Sequence, residues 1–589
     1  MKDKERMQSL PFYSPSRRAW DMAVKGNIAA PEESPQQFLS RVVDVLFSAE
    51  DKFGTKPELK RKMAEEFASY MVKGYVMPGT PALTNAGRYE SALSSCVVIP
   101  VDLREKKAAA AIIKSYYKQN MGSGFDLTPY ENPVELLKWI NDLSAQETAT
   151  GNYDRYIGNM GSLHVSHPQI EKFISAKKDD DTIKHFNISV DVTEDFMGRA
   201  ERGENFLLAD GSSINAATLL HRMAENAWQN GDPGLIFLER MNKDNPVSNV
   251  SKYVTTPPCS EMGLAEGETC QFGYINLAQF TSVQSDGQVR IDYSKLSSVT
   301  RLLTRVLDNA IEHSISRYPT EISTSIAQLK RKIGIGVCGL ADMLIACGLP
   351  YDSSEARALG RDILSFINYT SKVSSVDLAS DRGSCLVMLN TPQNDYMSGR
   401  FLEDKYATSP TRSVSEQDWQ KLADIIRSTG KLRNILTTSL PPTGRASILL
   451  GSTSAIEPIF TIFEENGNIK TAITDSLSRT LGSNPKLLIK VLSEAREAGS
   501  FQNIEVLSPE MKNVFKTAKE ISPDDHLKMV SALAGMHGVI DEAASKTVNL
   551  PTAATIEDVE NIFVLAYRLG LKNISVYRDG TKQNQPEEL

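Results

Sequence analysis

The sequence has few cysteines and no long apolar run. Its 589 residues contain six cysteines, too few for a disulfide scaffold: Cys96, Cys259, Cys270, Cys338, Cys347 and Cys385. No apolar stretch reaches the about 20 residues that cross a bilayer, and the charged N-terminal segment lacks the apolar core of a signal peptide. We therefore expect a cytoplasmic protein without membrane contact, whose thiols are reduced and in which any disulfide is transient and chemical.

The chain also has no excess of positive charge. Its 65 Lys and Arg against 73 Asp and Glu give a net charge of -8, which argues against a nucleic-acid partner but leaves room for a local basic pocket that binds phosphates. There is no C-x-x-C pair and no Cys/His cluster, so no protein-bound metal is expected. Internal repeats and low-complexity tracts are absent too, and 41% hydrophobic with 23% charged residues is typical of a folded globular protein.

The order of the periodic segments predicts a helical start followed by an α/β domain. Apolar residues recur at helical spacing in 38–47 and 58–72, so residues 1–75 are predicted to form a helical N-terminal region. From 76 to 581, short β-rich runs alternate with helices, which favours mainly parallel strands. These runs include SSCVVIPV, HFNISVDV, GLIFLERM, QFGYINL, NILTTSL and KNISVYRD. Segments 265–269 and 391–413 are expected to be loops or local insertions, and 582–589 a polar tail that frays.

One short segment, TPPCSEMGLAEGETC, brings two thiols and a carboxylate close together in sequence. Glu261 follows Cys259 by two residues, and Cys270 follows Cys259 by eleven. A cysteine beside a carboxylate can be a nucleophile next to a base or a redox thiol. Buried small residues would give the same pattern, since free cysteine is often buried. The spacing alone leaves these alternatives open.

A second segment, LPPTGRASILL, could bind phosphate. After a strand-like run and two prolines it offers hydroxyls, a glycine and free backbone N–H groups at the start of a helix, and Arg445 adds a charge-assisted donor. The candidate phosphate residues are Thr443, Gly444, Arg445, Ala446 and Ser447. An ordinary capped helix after a strand is the alternative. Residues 334–339 fit G-x-G-x-x-G, but the run continues as a predicted buried helix, so dinucleotide binding is not expected.

Eleven segments, in one order, resemble the large catalytic subunit of ribonucleotide reductases, and most closely the class II, adenosylcobalamin-dependent enzymes. They are MPGTPALTNAGR (77–88), LSSCVVIPV (93–101), GSGFDL (122–127), GNMGSLHVSHPQIEKFI (158–174), FNISVDVTEDFM (186–197), DPGLIFLERMNKDNP (232–246), PPCSE (257–261), GYINL (273–277), IGVCGLADMLIACGLPYDS (335–353), PPTGRASILLGSTSAIEPIF (441–460) and SKTVNLPTAATIEDVENIFVLAYRLGLKNISVYRDG (545–580). The resemblance implies a ten-stranded α/β barrel of two five-stranded parallel halves, with a finger loop crossing its interior.

The resemblance also implies roles for individual residues. Cys259, at the finger tip, would carry a thiyl radical that takes the 3′ hydrogen of a ribonucleotide, and Glu261 would be the general base on the 3′-hydroxyl. Cys96 and Cys270 would deliver two electrons and become a disulfide. Thr80 and Ser95 would lie near the ribose, and 443–447 would hold the phosphates. The implied partners are a ribonucleoside di- or triphosphate, thioredoxin or a similar reductant, and a second copy of the chain in a homodimer.

The class assignment depends on the C-terminal segment ISVYRDG. It carries the single Tyr577 of the class II pattern instead of a tyrosine pair, which implies adenosylcobalamin as cofactor. No D-x-H-x-x-G motif occurs, and the class II enzymes bind their cofactor without one. A class I-type large subunit that needs a separate radical-generating partner is one alternative. A divergent paralogue doing another radical reaction on a nucleotide is a second, and a non-catalytic nucleotide-binding relative a third.

The sequence departs from the family pattern at three places. Pro257 stands where the family has an asparagine that hydrogen-bonds the substrate, and proline has no side-chain polar group. No cysteine pair follows YRDG, so reducing equivalents are expected from a separate protein or a small thiol. The effector region GNYDRYIGNMG is altered, with Asp154 and Arg155 as candidate effector-binding residues, and no ATP-cone-like segment is recognised, so overall activity control by ATP and dATP is not expected.

Overall fold

The computed structural model describes residues 10–178, 183–391, 393–464 and 467–581, so the predicted tail at 582–589 lies outside the described residues. Both helices predicted in the N-terminal region are confirmed. Ser34 caps one of them in a capping box with Gln37, and Pro57 begins the other. In the part of the chain that the structure describes, no helix is both long and apolar enough to cross a membrane.

The α-helices, in chain order, are α1 (Arg17–Lys25), α2 (Pro35–Ser48), α3 (Pro57–Val72), α4 (Thr80–Asn85), α5 (Lys106–Tyr117), α6 (Pro133–Ala149), α7 (Ile170–Ile174), α8 (Glu194–Arg202), α9 (Ala216–Asn230), α10 (Leu238–Lys243), α11 (Tyr293–Ser314), α12 (Glu321–Lys330), α13 (Leu340–Ala346), α14 (Ser354–Arg382), α15 (Leu386–Asn390), α16 (Arg400–Leu402), α17 (Glu416–Thr429), α18 (Gly444–Leu450), α19 (Thr471–Leu481), α20 (Pro485–Ala498), α21 (Pro509–Val514), α22 (Pro523–Ala534) and α23 (Ile556–Arg568). Short 3-10 segments lie at Ala49–Phe53, Leu277–Phe280, Ile315–Arg317 and Ala518–Glu520, and a π-helical turn at Glu403–Ala407.

The strands are β1 (Val76–Pro78), β2 (Cys96–Val98), β3 (Gly122–Asp126), β4 (Asn159–His164), β5 (Phe186–Asp191), β6 (Asn205–Leu207), β7 (Ser213–Asn215), β8 (Gly234–Ile236), β9 (Thr269–Cys270), β10 (Phe272–Asn276), β11 (Thr281–Val283), β12 (Val289–Ile291), β13 (Gly334–Cys338), β14 (Thr547–Leu550) and β15 (Asn573–Arg578). An eight-stranded sheet has the order β14-β15-β8-β5-β4-β3-β2-β9, and a three-stranded sheet the order β1-β10-β13. Two small hairpins, β6-β7 and β11-β12, complete the pairings.

Strand direction divides the large sheet into parallel and antiparallel parts. The neighbours β2-β3, β3-β4, β4-β5 and β5-β8 are all parallel. At the two ends of this run the direction reverses, since β15 is antiparallel to β8 and β9 is antiparallel to β2. The strands between are almost wholly buried, as expected of parallel strands with helices on their outer face. The predicted α/β class with mainly parallel strands is therefore confirmed.

The predicted strand NILTTSL is reduced to isolated bridges. Thr438 bridges to Ile335 of β13, and Leu440 bridges to Ala544, both in parallel orientation. The N–H groups of Thr437 and Thr438 donate to the Asp541 carboxylate, which replaces part of a ladder. The strands of the described residues therefore do not join into one closed sheet.

Two further segments differ from expectation. The buried helix predicted after the glycine run is confirmed as α13, but residues 334–338, for which no strand was predicted, form strand β13 with Gly334 and Gly336 inside it. At Gly336 a side chain would meet Pro441 and Tyr274, so glycine permits close strand packing and is no phosphate loop. The expected loop at 391–413 contains α16 and the π-helical turn, because Tyr406 and Phe401 pack into the apolar cluster around Trp419.

The finger loop, residues 256–263, lies among the strands of the eight-stranded and the three-stranded sheet. A bridge between Thr255 and Leu264 closes its base, and Lys332 Nζ donates to the carbonyl of Gly263 at 2.7 Å. Gly263 sits against the ring of Tyr253, where a side chain would collide. The loop is therefore held at its base by buried side chains.

Candidate active site

Cys96 and Cys270 face each other across two strands. They are directly paired residues of the antiparallel pair β2-β9, and both are buried and unbridged. Directly opposed residues of an antiparallel pair lie within the Cα separation that a disulfide spans. A hydrogen bond to Cys270, and then burial, hold the pKa of the Cys96 thiol well above its usual range. The two thiols are thus a pair positioned to close into a disulfide.

Cys259, at the tip of the finger loop, lies close to this dithiol. Gly122 of β3 marks the contact: a side chain there would meet both Cys96 Sγ and the Pro258 ring, each at 3.2 Å. The Cys259 side chain is exposed because it borders a cavity. Burial among protein atoms nevertheless raises the pKa of its thiol, and the charges of Glu261 and Cys96 add to the effect.

Side chains of the surrounding strands hold the finger tip by its backbone. Asn187 of β5 donates to the Pro258 carbonyl at 3.0 Å, and Asn573 of β15 donates to the Ser260 carbonyl. Ser260 has a positive φ of 56°, which a non-glycine residue adopts only where its surroundings impose it. These contacts fix the direction in which the thiol of Cys259 points.

Glu261 carries a buried carboxylate whose Oε2 atom is unpaired in the described part of the chain. It is 2% exposed, and its Oε2 has no hydrogen-bond partner among the described residues. Its main chain is fixed instead, since the carbonyl accepts from Ser439 Oγ at 2.9 Å and from the Ala543 N–H at 3.0 Å. Burial raises the pKa of the Glu261 carboxyl to about 7, against the lowering effect of Arg155. Such a group can take up or release a proton near neutral pH.

Ser95 and Thr80 lie beside the dithiol. Ser95 precedes Cys96, and its N–H donates to the Cys270 carbonyl at 2.9 Å. Its hydroxyl lies against Gly79, where a side chain would meet it at 3.1 Å. Thr80 follows Gly79 as the first residue of α4 and is half-buried. The predicted ribose contacts are therefore brought together with the thiols.

The candidate phosphate residues form the start of α18, next to the same pocket. Tyr274 Oη, from β10, donates to the Pro442 carbonyl at 3.3 Å. Thr443 Oγ1 accepts from the Ala455 N–H at 2.9 Å, and Ser447 Oγ donates to the Gly444 carbonyl at 2.7 Å, so both hydroxyls already have partners. Ala446 is buried, which leaves the first N–H groups of the helix as the free donors.

Arg445 takes a different direction from the one predicted. Its guanidinium donates to the carbonyl of Gly26, just past the C-terminal end of α1. A side chain at Gly26 would meet the guanidinium carbon at 2.8 Å. In this conformation Arg445 links the phosphate segment to the N-terminal region.

Asp154 and Arg155, predicted to bind an effector, point in opposite directions. Asp154 forms an ion pair of 3.7 Å with Arg88 of the NAGR segment. Arg155 turns inward, and its Nη1 donates to the carbonyls of Ser95 and Asn120, both at 3.2 Å. The electrostatic effect of Arg155 reaches Cys96, Cys259, Glu261 and Tyr274.

The sequence reasoning missed the placement of Arg155 and Tyr274 in this pocket. Tyr274 belongs to GYINL, a segment that was noted only for its resemblance. Its ring is buried, and burial followed by the Glu261 charge raises the pKa of its hydroxyl. The signal that could have found Tyr274 is its place on the strand that continues directly from Cys270.

A cavity of about 210 Å³ lies on the other side of the Cys259 thiol. Strands β4, β5, β8, β14 and β15 contribute to its wall. The wall mixes apolar and polar side chains, among them Met160, Asn187, Ser189, Asp232, Lys546, Thr547, Ser575, Val576 and Tyr577. Tyr577 Oη is buried without a hydrogen-bond partner in the described chain. Residues 10–178, 183–391, 393–464 and 467–581 contain no group of His, Cys, Asp and Glu side chains placed to hold a metal ion.

Comparison with family models gives two matches along the chain. Residues 22–91 match the model described as ribonucleotide reductase, all-alpha domain. Residues 128–577 match the model described as ribonucleotide reductase, barrel domain. The second match alone spans more than half of the chain.

Curated proteins give the same family, and a solved structure gives the same fold. The chain is 32% identical over 584 residues to the vitamin B12-dependent ribonucleoside-diphosphate reductase of Mycobacterium tuberculosis, covering 94% of this chain and 77% of that protein. It is 33% identical over 542 residues to the protein of the same name in Thermoplasma acidophilum, covering 86% and 64%. The class Id ribonucleotide reductase alpha subunit of Actinobacillus ureae superposes with a TM-score of 0.73 at 19% identity, covering 96% and 98%.

Proposed function

The chain belongs to the ribonucleotide reductase large-subunit family, and from this premise we propose that Cys259 carries the radical with which it reduces ribonucleotides to 2′-deoxyribonucleotides. The observation that carries this proposal is the Cys96–Cys270 pair beside Cys259 and Glu261. A dithiol next to a third thiol and a buried base is the set of groups that the reaction needs.

Each group has one chemical task. The Cys259 thiyl takes the 3′ hydrogen atom of the ribose and later returns it, so it is not consumed. Glu261 accepts the proton of the 3′-hydroxyl. The 2′-hydroxyl leaves as water, and Cys96 and Cys270 supply the two electrons and two hydrogens, forming a disulfide. In sum, a ribonucleotide and a dithiol give a deoxyribonucleotide, a disulfide and water.

We propose adenosylcobalamin as the cofactor, because several relatives are named vitamin B12-dependent. The cavity at Cys259 fits the adenosyl end of this group. Its volume is about 210 Å³, and its wall includes both apolar and polar side chains. Met160 and Val576 offer apolar surface, and the partnerless Tyr577 hydroxyl offers a hydrogen bond. When bound, adenosylcobalamin would supply the one-electron chemistry that removes the hydrogen atom from the Cys259 thiol.

We propose that the strands follow the ten-stranded plan of two parallel halves. One half would be β2, β3, β4, β5 and β8. The other would be β10, β13, residues 437–440, the segment from 543 through β14, and β15. The parallel bridges at Ile335–Thr438 and Leu440–Ala544 support the second half, and the antiparallel pairs β8-β15 and β2-β9 support the junctions. The helical region would then end near residue 75 and the barrel begin at 76.

The remaining assignments follow from the relatives and from the thiols. Two relatives are named ribonucleoside-diphosphate reductases, so we propose a diphosphate substrate. Regenerating the dithiol requires an external disulfide reductant, for which we propose thioredoxin. A homodimer is the assembly that we propose, in the cytoplasm, where thiols are kept reduced.

One turnover without reductant tests the dithiol assignment. With adenosylcobalamin and a ribonucleoside diphosphate, we expect the Cys96 and Cys270 peptides to become linked, in proportion to the deoxynucleotide formed. Peptide mapping after alkylation measures this. Cys338 and Cys385, which are buried and free, serve as internal controls and should remain thiols. Deoxynucleotide formed while Cys96 and Cys270 both remain free would contradict the assignment.

A further inference from the structure

The loop of residues 150–157 is fixed on both sides of Arg155. Tyr153 Oη donates to the carboxylate of Glu147, at the C-terminal end of α6. Tyr156 stacks on His185, with ring centroids 4.8 Å apart and planes at 12°. His185 Nδ1 also hydrogen-bonds the Ile157 carbonyl at 2.9 Å. Arg155 therefore projects from an anchored segment.

The Arg155 guanidinium enters the pocket beside the dithiol strand. Its Nη1 donates to the carbonyl of Ser95, the residue before Cys96, and to the carbonyl of Asn120, both at 3.2 Å. Within the described residues its Nη2 and Nε form no hydrogen bond. Arginine carries five N–H donors and stays charged at all accessible pH values. Three donors are thus left for a ligand.

The finger loop itself offers a ligand few strong donors. The finger loop presents Pro257 and Pro258, which have no N–H and no polar side chain. Glu261 is an acceptor when ionised, and thiols are weak donors. A ribose that gives its hydroxyl proton to Glu261 still presents oxygen lone pairs, and these need a partner where water is excluded.

We infer that Arg155 contacts the substrate ribose in the catalytic pocket and supplies the hydrogen-bond donors that the finger loop lacks. The inference deepens the proposed function and rests on it. Arg155 would thus contact the ribose, where the reaction takes place, and not the effector that the sequence predicted for it. A fixed guanidinium at this position orients the ribose between Glu261 and the thiols, and such positioning acts on turnover more than on ground-state affinity.

Arg155 also affects the ionisation of Glu261, the proposed general base. Burial raises the pKa of Glu261 to about 7, and Arg155 is the strongest of the charges that lower it. Removing this positive charge raises that pKa further, so more of the base is protonated at neutral pH. The titratable and charged groups that face Glu261 are Cys259 on the finger loop, Cys96 on β2, Tyr274 on β10, Arg155, Lys332 and Glu542.

The test compares Arg155→Gln and Arg155→Lys with Arg104→Gln, a control at an exposed arginine that pairs with Asp102. With a ribonucleoside diphosphate, adenosylcobalamin and dithiothreitol, we expect Arg155→Gln to lower kcat by about 10²-fold and to change KM by less than about threefold. The acidic limb of kcat/KM against pH should move upward. Arg155→Lys should keep the position of that limb but recover only part of kcat. An unchanged kcat with an altered preference among bases would overturn the inference in favour of the effector role.

A second readout needs no turnover. Iodoacetamide alkylation of Cys259, followed by mass spectrometry at pH 8 to 10, reports the thiolate fraction. Because Arg155 lowers the pKa of this thiol, Arg155→Gln should slow alkylation by about two- to tenfold, where tenfold corresponds to one pKa unit. Equal rates in wild type and variant would overturn the inward placement. An inactive wild type with slowed alkylation in the variant would count against the proposed reaction but not against this placement.

Discussion

At the scale of single residues, we predict that the ionisation of Glu261 limits the reaction. Its side chain is 2% exposed and its Oε2 atom has no partner among the described residues, and burial raises its pKa to about 7. A base must be ionised to accept a proton. The rate should therefore be low at acidic pH and rise as the carboxyl loses its proton.

We predict that kcat/KM of the wild-type enzyme rises with pH through an apparent pKa of about 7. Glu261→Gln keeps the shape of the side chain but cannot accept a proton, so it should lower kcat by about 10²- to 10⁴-fold and abolish this limb. Steady-state kinetics from pH 5.5 to 8.5 measure both effects. Burial holds the thiol pKa of Cys259 above the usual range, so no alkaline limb from it is expected in this interval. A pH-independent wild-type rate would exclude Glu261 as the base.

Single residues also show which contacts of the site could be predicted from the sequence alone. Cys96 and Cys270 are 174 positions apart, and nothing in their local spacing pairs them, since the pairing is a strand register set by the whole sheet. Only the resemblance predicted that they face each other. For Arg445 and Arg155 the local motif was recognised, but the direction of the side chain was not. A long side chain can turn to either side of its backbone. The neighbours that decide this, Gly26 and Ser95, are distant in sequence.

At the scale of elements, the finger loop depends on glycine in the neighbouring strand β3. Gly122 leaves room for both Cys96 Sγ and the Pro258 ring. The loop has no ladder partners along its tip, so the side chains of Asn187 and Asn573 satisfy its carbonyls instead. The position of the Cys259 thiol is therefore set by packing across three separate strands.

We predict that Gly122→Ala disturbs this packing. It should lower turnover strongly and the melting temperature less. The added methyl group would lie 3.2 Å from both neighbours, and overpacking of this kind costs about 1–3 kcal/mol. Gly198→Ala in α8 is the matched control, because its methyl group meets only the flexible end of Arg202. Turnover and thermal melting measure the two effects. Full turnover in Gly122→Ala would show that the finger tip tolerates displacement.

Elements with strong local signals were predictable, and those set by tertiary contacts were not. The helices at Pro35–Ser48 and Pro57–Val72 follow from apolar periodicity and from their first residues. Strand β13 was not predicted, because a glycine-rich apolar run does not distinguish a buried strand from a buried helix. Residues 434–440 are extended, but the N–H groups of Thr437 and Thr438 donate to the Asp541 carboxylate instead of to a neighbouring strand. No local sequence pattern encodes this contact.

At the scale of the whole molecule, buried ion pairs join the N-terminal region to the α/β domain. Glu50, from the N-terminal region, pairs with Arg305 of α11 at 2.8 Å and Arg382 of α14 at 2.6 Å. Arg382 also pairs with Asp308 at 2.9 Å. Burial alone would raise the pKa of Glu50, but these arginines outweigh it and lower the pKa to about 2, from an ordinary value of 4.5. A carboxylate stabilised in this way contributes fully above its unfolded pKa.

We predict that this contribution is lost as the pH falls from about 4.5 to about 2, the window between the unfolded and folded pKa of Glu50. Glu50→Gln should lower the free energy of unfolding at pH 7 by about 3–5 kcal/mol, because it leaves buried arginines without their partner. It should also flatten the acid dependence of the melting temperature. Asp195→Asn, at an exposed pair with Arg199, is the control and should cost at most about 1 kcal/mol. Equal melting temperatures for Glu50→Gln and wild type would contradict the prediction.

We propose that Cys259 carries the radical that reduces a ribonucleotide. The most direct measurement is an anaerobic assay with adenosylcobalamin, a ribonucleoside diphosphate and dithiothreitol. Deoxynucleotide is followed by chromatography and unpaired spins by electron paramagnetic resonance, for wild type and Cys259→Ser. We predict deoxynucleotide and a radical signal from the wild type, and neither from Cys259→Ser, which should still bind the nucleotide. Deoxynucleotide formed by Cys259→Ser at the wild-type rate, or a wild type that forms a radical but a different product, would contradict the account.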